Sequence, residues 1–201
     1  MGILKAILAH LYIAWIHPFG DGNGRTARLV EFKILLASSI PTPAAHLLSN
    51  HYNLTRTEYY RQLESTSKSG GNIIPFLYYA LIGFIDGLKL QIKEITNQHL
   101  SIAWQAHIYK EFEEHKGSSA NIRRRQLVLD LTEKDEPIPL PKISELSPRI
   151  ASQYAGKSPK AISRDINALL QMKLIVKTST GYKANKAIML DLIPVRMLDN
   201  N

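Results

Sequence analysis

Cysteine is absent from the 201 residues. No disulfide framework, thiolate metal centre or cysteine nucleophile can be built, and the composition suits a reducing compartment, so a cytoplasmic location is expected. A run of about 20 apolar residues, the length a membrane-spanning helix needs, is also missing. The nearest approach, residues 1–16, contains Lys5 and His10 and has no small-residue cleavage site before His17, so it reads as neither a span nor a secretory leader. Gly2 is not followed by Ser or Thr at position 6, which removes myristoylation. No membrane partner is expected. Acidic residues are scarce, 17 against 25 Lys and Arg, and the net charge of +8 predicts contact with a polyanion such as a nucleotide, a nucleic acid or an acidic protein surface. With 45% hydrophobic and 21% charged residues the composition is that of a globular protein, which excludes disordered and collagen-like chains. The length allows one or two domains.

The charge is unevenly placed. Residues 1–119 hold 11 basic and 9 acidic side chains, a net of +2, whereas residues 120–201 hold 14 and 8, a net of +6. All seven histidines lie at or before His115. The two parts are therefore chemically different.

Residues 1–16 are apolar on every side and predict a helix buried inside a domain. The most informative segment follows: His17-Pro18-Phe19-Gly20-Asp21-Gly22-Asn23-Gly24-Arg25-Thr26-Ala27-Arg28. Three glycines within five positions disfavour helix, allow positive φ and let a ligand approach the backbone. The pattern from Thr26 to Ala37 is helical again, so the order is helix, Gly-rich loop, helix. Free N–H groups at such a helix start form an anion site. Arg25 and Arg28 are expected in its first turn, where they oppose the helix dipole unless an anion is bound. His17, with an ordinary pKa near neutrality, suits a general base. Asp21 suits Mg²⁺ on a nucleotide, and Asn23 can donate to a phosphate oxygen. Phe19 is expected to point into the core and anchor the loop.

Competing motifs fail. Gly22-x-Gly24-x-x-Ala27 imitates a dinucleotide fingerprint, but a helix precedes it. Gly156-Lys157-Ser158 imitates the end of a P-loop, but Ala151 stands where the first glycine is required. His46 and His51 share no helix face and make a poor metal pair. His99, His107 and His115 read as solvated or packed side chains of a linker helix.

Residues His17 to Arg28 resemble the signature of the Fic family at every fixed position. Arg56-Thr57-Glu58-Tyr59-Tyr60 is similar to the double-tyrosine helix of that family, and Ile74-Pro75-Phe76 to its next helix start. The resemblance covers roughly residues 1–96. It implies an all-helical core and transfer of AMP from Mg-ATP to a Ser, Thr or Tyr hydroxyl of a target protein. It further implies His17 as base, Asp21 as Mg²⁺ ligand, Gly22, Asn23 and Gly24 as anion hole, and Arg25 and Arg28 as neutralisers of the leaving pyrophosphate. Thr26 and Ala27 fall within the same nucleotide-binding stretch. Tyr59 and Tyr60 would flank the nucleotide, although packing in the core accounts equally well for one of the two. Family members carry helices and a target-aligning flap before the signature, so the chain is expected to be N-terminally truncated, with weakened activity and stability. The inhibitory pattern Ser/Thr-x-x-x-Glu-Gly/Asn has no copy downstream, since Ser65-Thr66-Ser67 and Ser118-Ser119 lack the glutamate.

Residues 88–114 read as one long helix ended by Lys116-Gly117-Ser118-Ser119, which puts a boundary near residue 118. Beyond it, Arg123 to Leu131 is helical and Pro137 to Ile143 is expected to be extended. Ser147-Pro148 and Ser158-Pro159 are helix starts. Leu174 to Thr178 and Tyr182 to Ala184 form a hairpin around Ser179-Thr180-Gly181. This is the winged-helix order, with the helix from Pro159 as recognition helix and Lys160, Ser163, Arg164 and Asn167 on its polar face as candidate DNA contacts. A winged helix used for dimerisation fits equally, so duplex DNA and a homodimer both remain partners to consider. A C-terminal winged helix also resembles what many bacterial Fic proteins carry.

The expected architecture is mainly α: the C-terminal part of an all-helical Fic core over 1–118, then an α+β winged-helix domain over 119–201. The expected function is protein adenylyl transfer. Its alternatives are a nucleotide-sensing DNA-binding regulator and an inactive Fic remnant.

Overall fold

The computed structural model describes residues 2–113 and 118–192. Their contacts fall into two compact units, Met1–Ile95 and Thr96–Asn201. The first contains helices α1 (Gly2–Ile16), α2 (Asn23–Ala37), α3 (Thr42–Ala45), α4 (Leu47–Leu54) and α5 (Arg56–Lys68), and the first part of α6 (Ile74–Glu111). The second contains the remainder of α6, α7 (Ser119–Thr132), a 3-10 helix (Leu140–Glu145), α8 (Pro148–Tyr154), α9 (Pro159–Gln171), strands β1 (Ile175–Lys177) and β2 (Tyr182–Ala184), and a last 3-10 helix (Lys186–Leu192). The described residues are thus mainly α with one small sheet. Among the described residues no helix is long and apolar enough to cross a membrane.

The core of the first unit joins Ala6, Ile7 and Leu11 of α1 to Leu35 of α2, Leu48 and Tyr52 of α4, Tyr59 of α5 and Phe76, Ala80 and Phe84 of α6. Helix α1 is not buried on every side: Leu4, Tyr12 and Ile16 are exposed. Its even apolarity concealed a one-sided contact, mostly with α2. Helix α6 runs unbroken through residues 88–111, and the turn expected at Lys116-Gly117 lies outside the described residues.

In the second unit Trp104, Ile108 and Phe112 of α6 pack with Leu127, Val128 and Leu131 of α7, Ile150 of α8, Ile166 and Leu169 of α9 and Ile175 of β1. The helix starts follow their sequence signals: Ser147 Oγ accepts a hydrogen bond from the Ile150 N–H, and prolines occupy the first turns of α8 and α9. β1 and β2 pair antiparallel, with Val176 opposite Lys183. Residues 137–143 are extended only in part. Ile138 bridges Tyr182, whereas Leu140–Glu145 winds into a 3-10 helix, because proline near a helix start removes only an N–H that has no partner there.

Candidate active site

Helix α2 begins at Asn23, three residues earlier than its apolar pattern. Gly22 precedes it in the left-handed region, at φ 83°, which only glycine adopts freely. No side chain caps this start and no acidic residue lies in its first turn. Thr26 N–H already bonds to the Gly22 carbonyl. The N–H groups of Asn23, Gly24 and Arg25 therefore lack helical partners.

Two guanidinium groups lie along this turn. A Cβ on Gly22 would stand 3.6 Å from Arg25 Nη2, and one on Gly24 would stand 3.8 Å from Arg28 Nη2. Arg25 is in the first turn but Arg28 is in the second, reaching back along the helix. Arg28 Nε is buried without a hydrogen-bond partner. Cations at a helix N-terminus are unfavourable by themselves. Here they converge with unpaired N–H groups, which together make a site for a polyanion.

Asp21 accepts from Gly22 N–H at 2.6 Å and from Arg25 Nη2 at 3.1 Å. The side chains of Arg25 and Asp21 are 79% and 93% exposed, so this ion pair contributes little to stability and both groups can be redirected to a ligand. His17, the residue after α1, is exposed and held at φ 50°. Its Nδ1 is 3.4 Å from the Ala14 carbonyl. Donation from Nδ1 leaves Nε2 as the proton acceptor, a tautomer assigned from this contact.

Other site residues take different places from those expected. The Asn23 side chain is buried and doubly tied to Phe19: Oδ1 accepts from Phe19 N–H at 2.9 Å and Nδ2 donates to its carbonyl at 2.6 Å. It staples the loop, leaving its backbone N–H for an anion. Phe19, expected in the core, is half exposed, and the asparagine does the anchoring in its stead. Thr26 and Ala27 serve the helix: the Thr26 N–H is bonded and Ala27 is fully buried. Tyr60 is exposed with Arg56 over its ring, whereas Tyr59 is 4% exposed.

Sequence reasoning missed a buried polar cluster in the first unit. Tyr59 Oη is 2.9 Å from His10 Nε2. His10 Nδ1 is 3.4 Å from Glu31 Oε2. Tyr52 donates to Glu31 Oε1 at 3.0 Å. The Nδ1 contact meets the distance of an ion pair without the geometry of a hydrogen bond. Burial pushes the Tyr59 phenol up to about 12, opposed by the nearby Arg28 guanidinium. Burial and the Glu31 carboxylate push Tyr52 up as well. The available signal was a lone acid on the Asn23, Ala27, Leu35 face of α2, which is otherwise inward.

In the second unit Lys160, Arg164 and Asn167 are exposed on α9 and Ser163 is half-buried. Asp165 on the same helix is buried, taking hydrogen bonds from Arg123 Nε at 2.7 Å, Arg124 Nε at 2.8 Å and Tyr154 Oη at 2.9 Å.

Residues 2–35 match the family model described as Fic/DOC family. The chain is 36% identical over 74 residues to the protein adenylyltransferase Fic of Nematostella vectensis, a match covering 37% of this chain and 16% of that protein. It is 38% identical over 77 residues to the protein adenylyltransferase fic-1 of Caenorhabditis briggsae and to that of Caenorhabditis elegans, covering 38% of this chain and 14% of each relative. The matched stretch thus spans 14 to 16% of the length of these animal relatives.

Proposed function

We propose that the first unit binds ATP at the start of α2 and transfers its AMP moiety to a hydroxyl of a protein. The observation that carries this reading is the convergence of unpaired N–H groups at Asn23, Gly24 and Arg25 with the Arg25 and Arg28 guanidiniums, beside an exposed histidine. The printed name of the relatives, protein adenylyltransferase, supports the same chemistry.

The acceptor is a Ser, Thr or Tyr hydroxyl. His17 Nε2 takes its proton as the oxygen attacks the α-phosphorus. A new P–O bond forms, the bond from the α-phosphorus to the bridging oxygen of the β-phosphate breaks, and pyrophosphate leaves with the electron pair. The N–H groups and arginines stabilise the charge gathering on the phosphates, which is most of what phosphoryl-type transfer requires. Mg²⁺ fits a site made of the Asp21 carboxylate and nucleotide oxygens, since this ion usually combines one or two carboxylates with phosphates. When bound it supplies further charge neutralisation. Tyr60, the exposed member of the tyrosine pair, is the residue offered to the nucleotide.

Incubating the chain with Mg-ATP carrying a labelled α-phosphate tests this. Label on protein that disappears in His17→Ala is the expected result; label independent of His17, or no label at all, refutes transfer.

A second reading, a nucleotide-sensing regulator that binds duplex DNA, is favoured by one observation. The only acid of α9, Asp165, is turned inward and neutralised, which leaves Lys160, Arg164 and Asn167 on a face without negative charge. Under this reading residues 119–201 act as a winged helix, with the β1–β2 hairpin as wing and its exposed Lys177 and Lys183 toward phosphates. Duplex binding that weakens steeply with salt and is lost in Arg164→Ala is its signature.

A further inference from the structure

A groove of about 820 Å³ runs between α4 and α6 in the first unit, and none of residues 17–28 lines it. Two glycines explain its floor. Gly83 and Gly87 are four apart on α6 and so share a face. The His51 ring of α4 lies so close to Gly83 that a Cβ there would overlap it, and a Cβ on Gly87 would stand 3.2 Å from Leu47 Cδ2. With the floor taken by His51 and Leu47, the walls rise beyond them. Leu54 at the end of α4 and Leu90 and Ile95 of α6 line the groove while 83%, 70% and 46% exposed. One exposed leucine needs no explanation, but three along one groove form an apolar surface without a partner.

The charge of this surface runs against that of the chain. The whole sequence carries +8, yet Asp86 and Glu94 line the groove and no lysine or arginine does among the described residues. Lys89 and Lys93 belong to the same stretch of α6 but fall outside the lining. His51 adds no positive charge near neutral pH, because burial holds it below its ordinary value against the pull of Asp86. A second copy is a poor occupant, since a two-fold contact would set this acidic edge against itself. A small ligand is poor too. A pocket for one buries most of it, whereas these walls stand in water along about 18 Å of α6, from Gly83 to Ile95.

We propose that the groove binds an amphipathic helix of another protein, one with an apolar stripe flanked by Lys or Arg. Its length accommodates about three helical turns. Apolar residues at i, i+3 or i+4 and i+7 would pack over Leu47 and His51 and cover Leu54, Leu90 and Ile95. The flanking cations would meet Asp86 and Glu94 at the edge. A +8 chain repels basic peptides in general, so attraction of one here is specific to this groove.

The test is selection of a displayed library of helical peptides on the full chain, with counter-selection on Leu90→Asp. Leu90 is exposed, so this variant alters the wall without emptying the core, and thermal melting checks its fold. We expect the surviving peptides to carry the apolar spacing with Lys or Arg beside it. One of them, synthesised with a fluorescent label, should bind Leu90→Asp about tenfold more weakly than wild type by anisotropy, the loss of one apolar anchor. Asp86→Lys should weaken it about fivefold at low salt, and the difference should shrink as salt is raised. If Leu90→Asp does not fold, Asp86→Lys serves for both steps. Equal affinity for wild type and Asp86→Lys would overturn the proposal. So would a selection that yields nothing, or one that yields acidic peptides or peptides without the apolar spacing. A dimer of the free chain in sedimentation that Leu90→Asp breaks would give the groove to a second copy. A small molecule retained by the purified chain in native mass spectrometry, and blocking the peptide, would give it to a small ligand. Either outcome overturns the partner helix.

Discussion

Asp165 shows most directly what a single residue decides in this chain. Burial alone would push its carboxyl up, but hydrogen bonds from Arg123, Arg124 and Tyr154 outweigh that and hold it below the usual carboxylate range. Removing one partner of a buried pair leaves the others uncompensated. Asp165→Asn should therefore destabilise the second unit by about 3 kcal/mol, toward the lower end because Arg124 is one-quarter exposed. Urea unfolding followed by the fluorescence of Trp104, which is buried in this unit, measures it. None of this could be read from Arg123-Arg124-Arg125, which looks like a solvated basic run. The acid that takes up two of these charges lies 41 and 42 residues away, and sequence spacing carries no information about such a pair. His17, Asp21, Arg25 and Arg28 were legible for the opposite reason: they sit within twelve residues, so local chain geometry alone brings them together.

Elements differ in how far their ends can be read. Ser147-Pro148 announces α8 because the cap is made by neighbours in sequence; Ser147→Ala should cost about 1 kcal/mol, visible as a lowered denaturation midpoint with an unchanged slope. The hairpin was legible from its turn, but not its partner. A Cβ on Gly181 would lie 2.4 Å from the Ile138 carbonyl oxygen, where the Ile138–Tyr182 bridge brings residue 138 onto β2. Backbone cannot move aside as a side chain can, so Gly181→Ala should cost about 1 to 3 kcal/mol. Hydrogen exchange should show early loss of protection at the Ile138 and Tyr182 amides, which bond each other's carbonyls. The 3-10 helix at Leu140–Glu145 is not legible in the sequence, because proline excludes α-helix more firmly than it excludes a short 3-10 turn.

At the scale of the whole molecule, pH acts on the two units through different groups. Below pH 10 the phenols are protonated in folded and unfolded chains alike, and stability does not depend on them. Between pH 10 and about 12 the unfolded chain gives up the Tyr59 proton while the folded one keeps it, so stability falls, by up to about 2 to 3 kcal/mol for this group. Tyr52 acts in the same direction. Tyr59→Phe should flatten this alkaline loss as followed by Trp15, the tryptophan of the first unit. Acid acts on the second unit through Asp165: its contribution is present above the unfolded carboxylate range near pH 4 and disappears as pH falls through the lower folded value. The Trp104 signal should report that loss, and Asp165→Asn should remove it.

The sequence by itself determined what depends on neighbours along the chain: mainly helical elements, the Ser-Pro starts of α8 and α9, the β1–β2 hairpin, and a Gly-rich loop with a histidine, an aspartate and two arginines. Spacing of 3.6 or 2, and the backbone demands of glycine and proline, act over a few residues and can be read there. Only the tertiary structure decided that Asn23 staples the loop, that Phe19 is half exposed, that Tyr59 is buried against His10, and that His10, Glu31 and Asp165 are paired. Those outcomes are set by which faces meet. A buried polar group must find its partner wherever folding has placed one, and the distance along the chain does not enter.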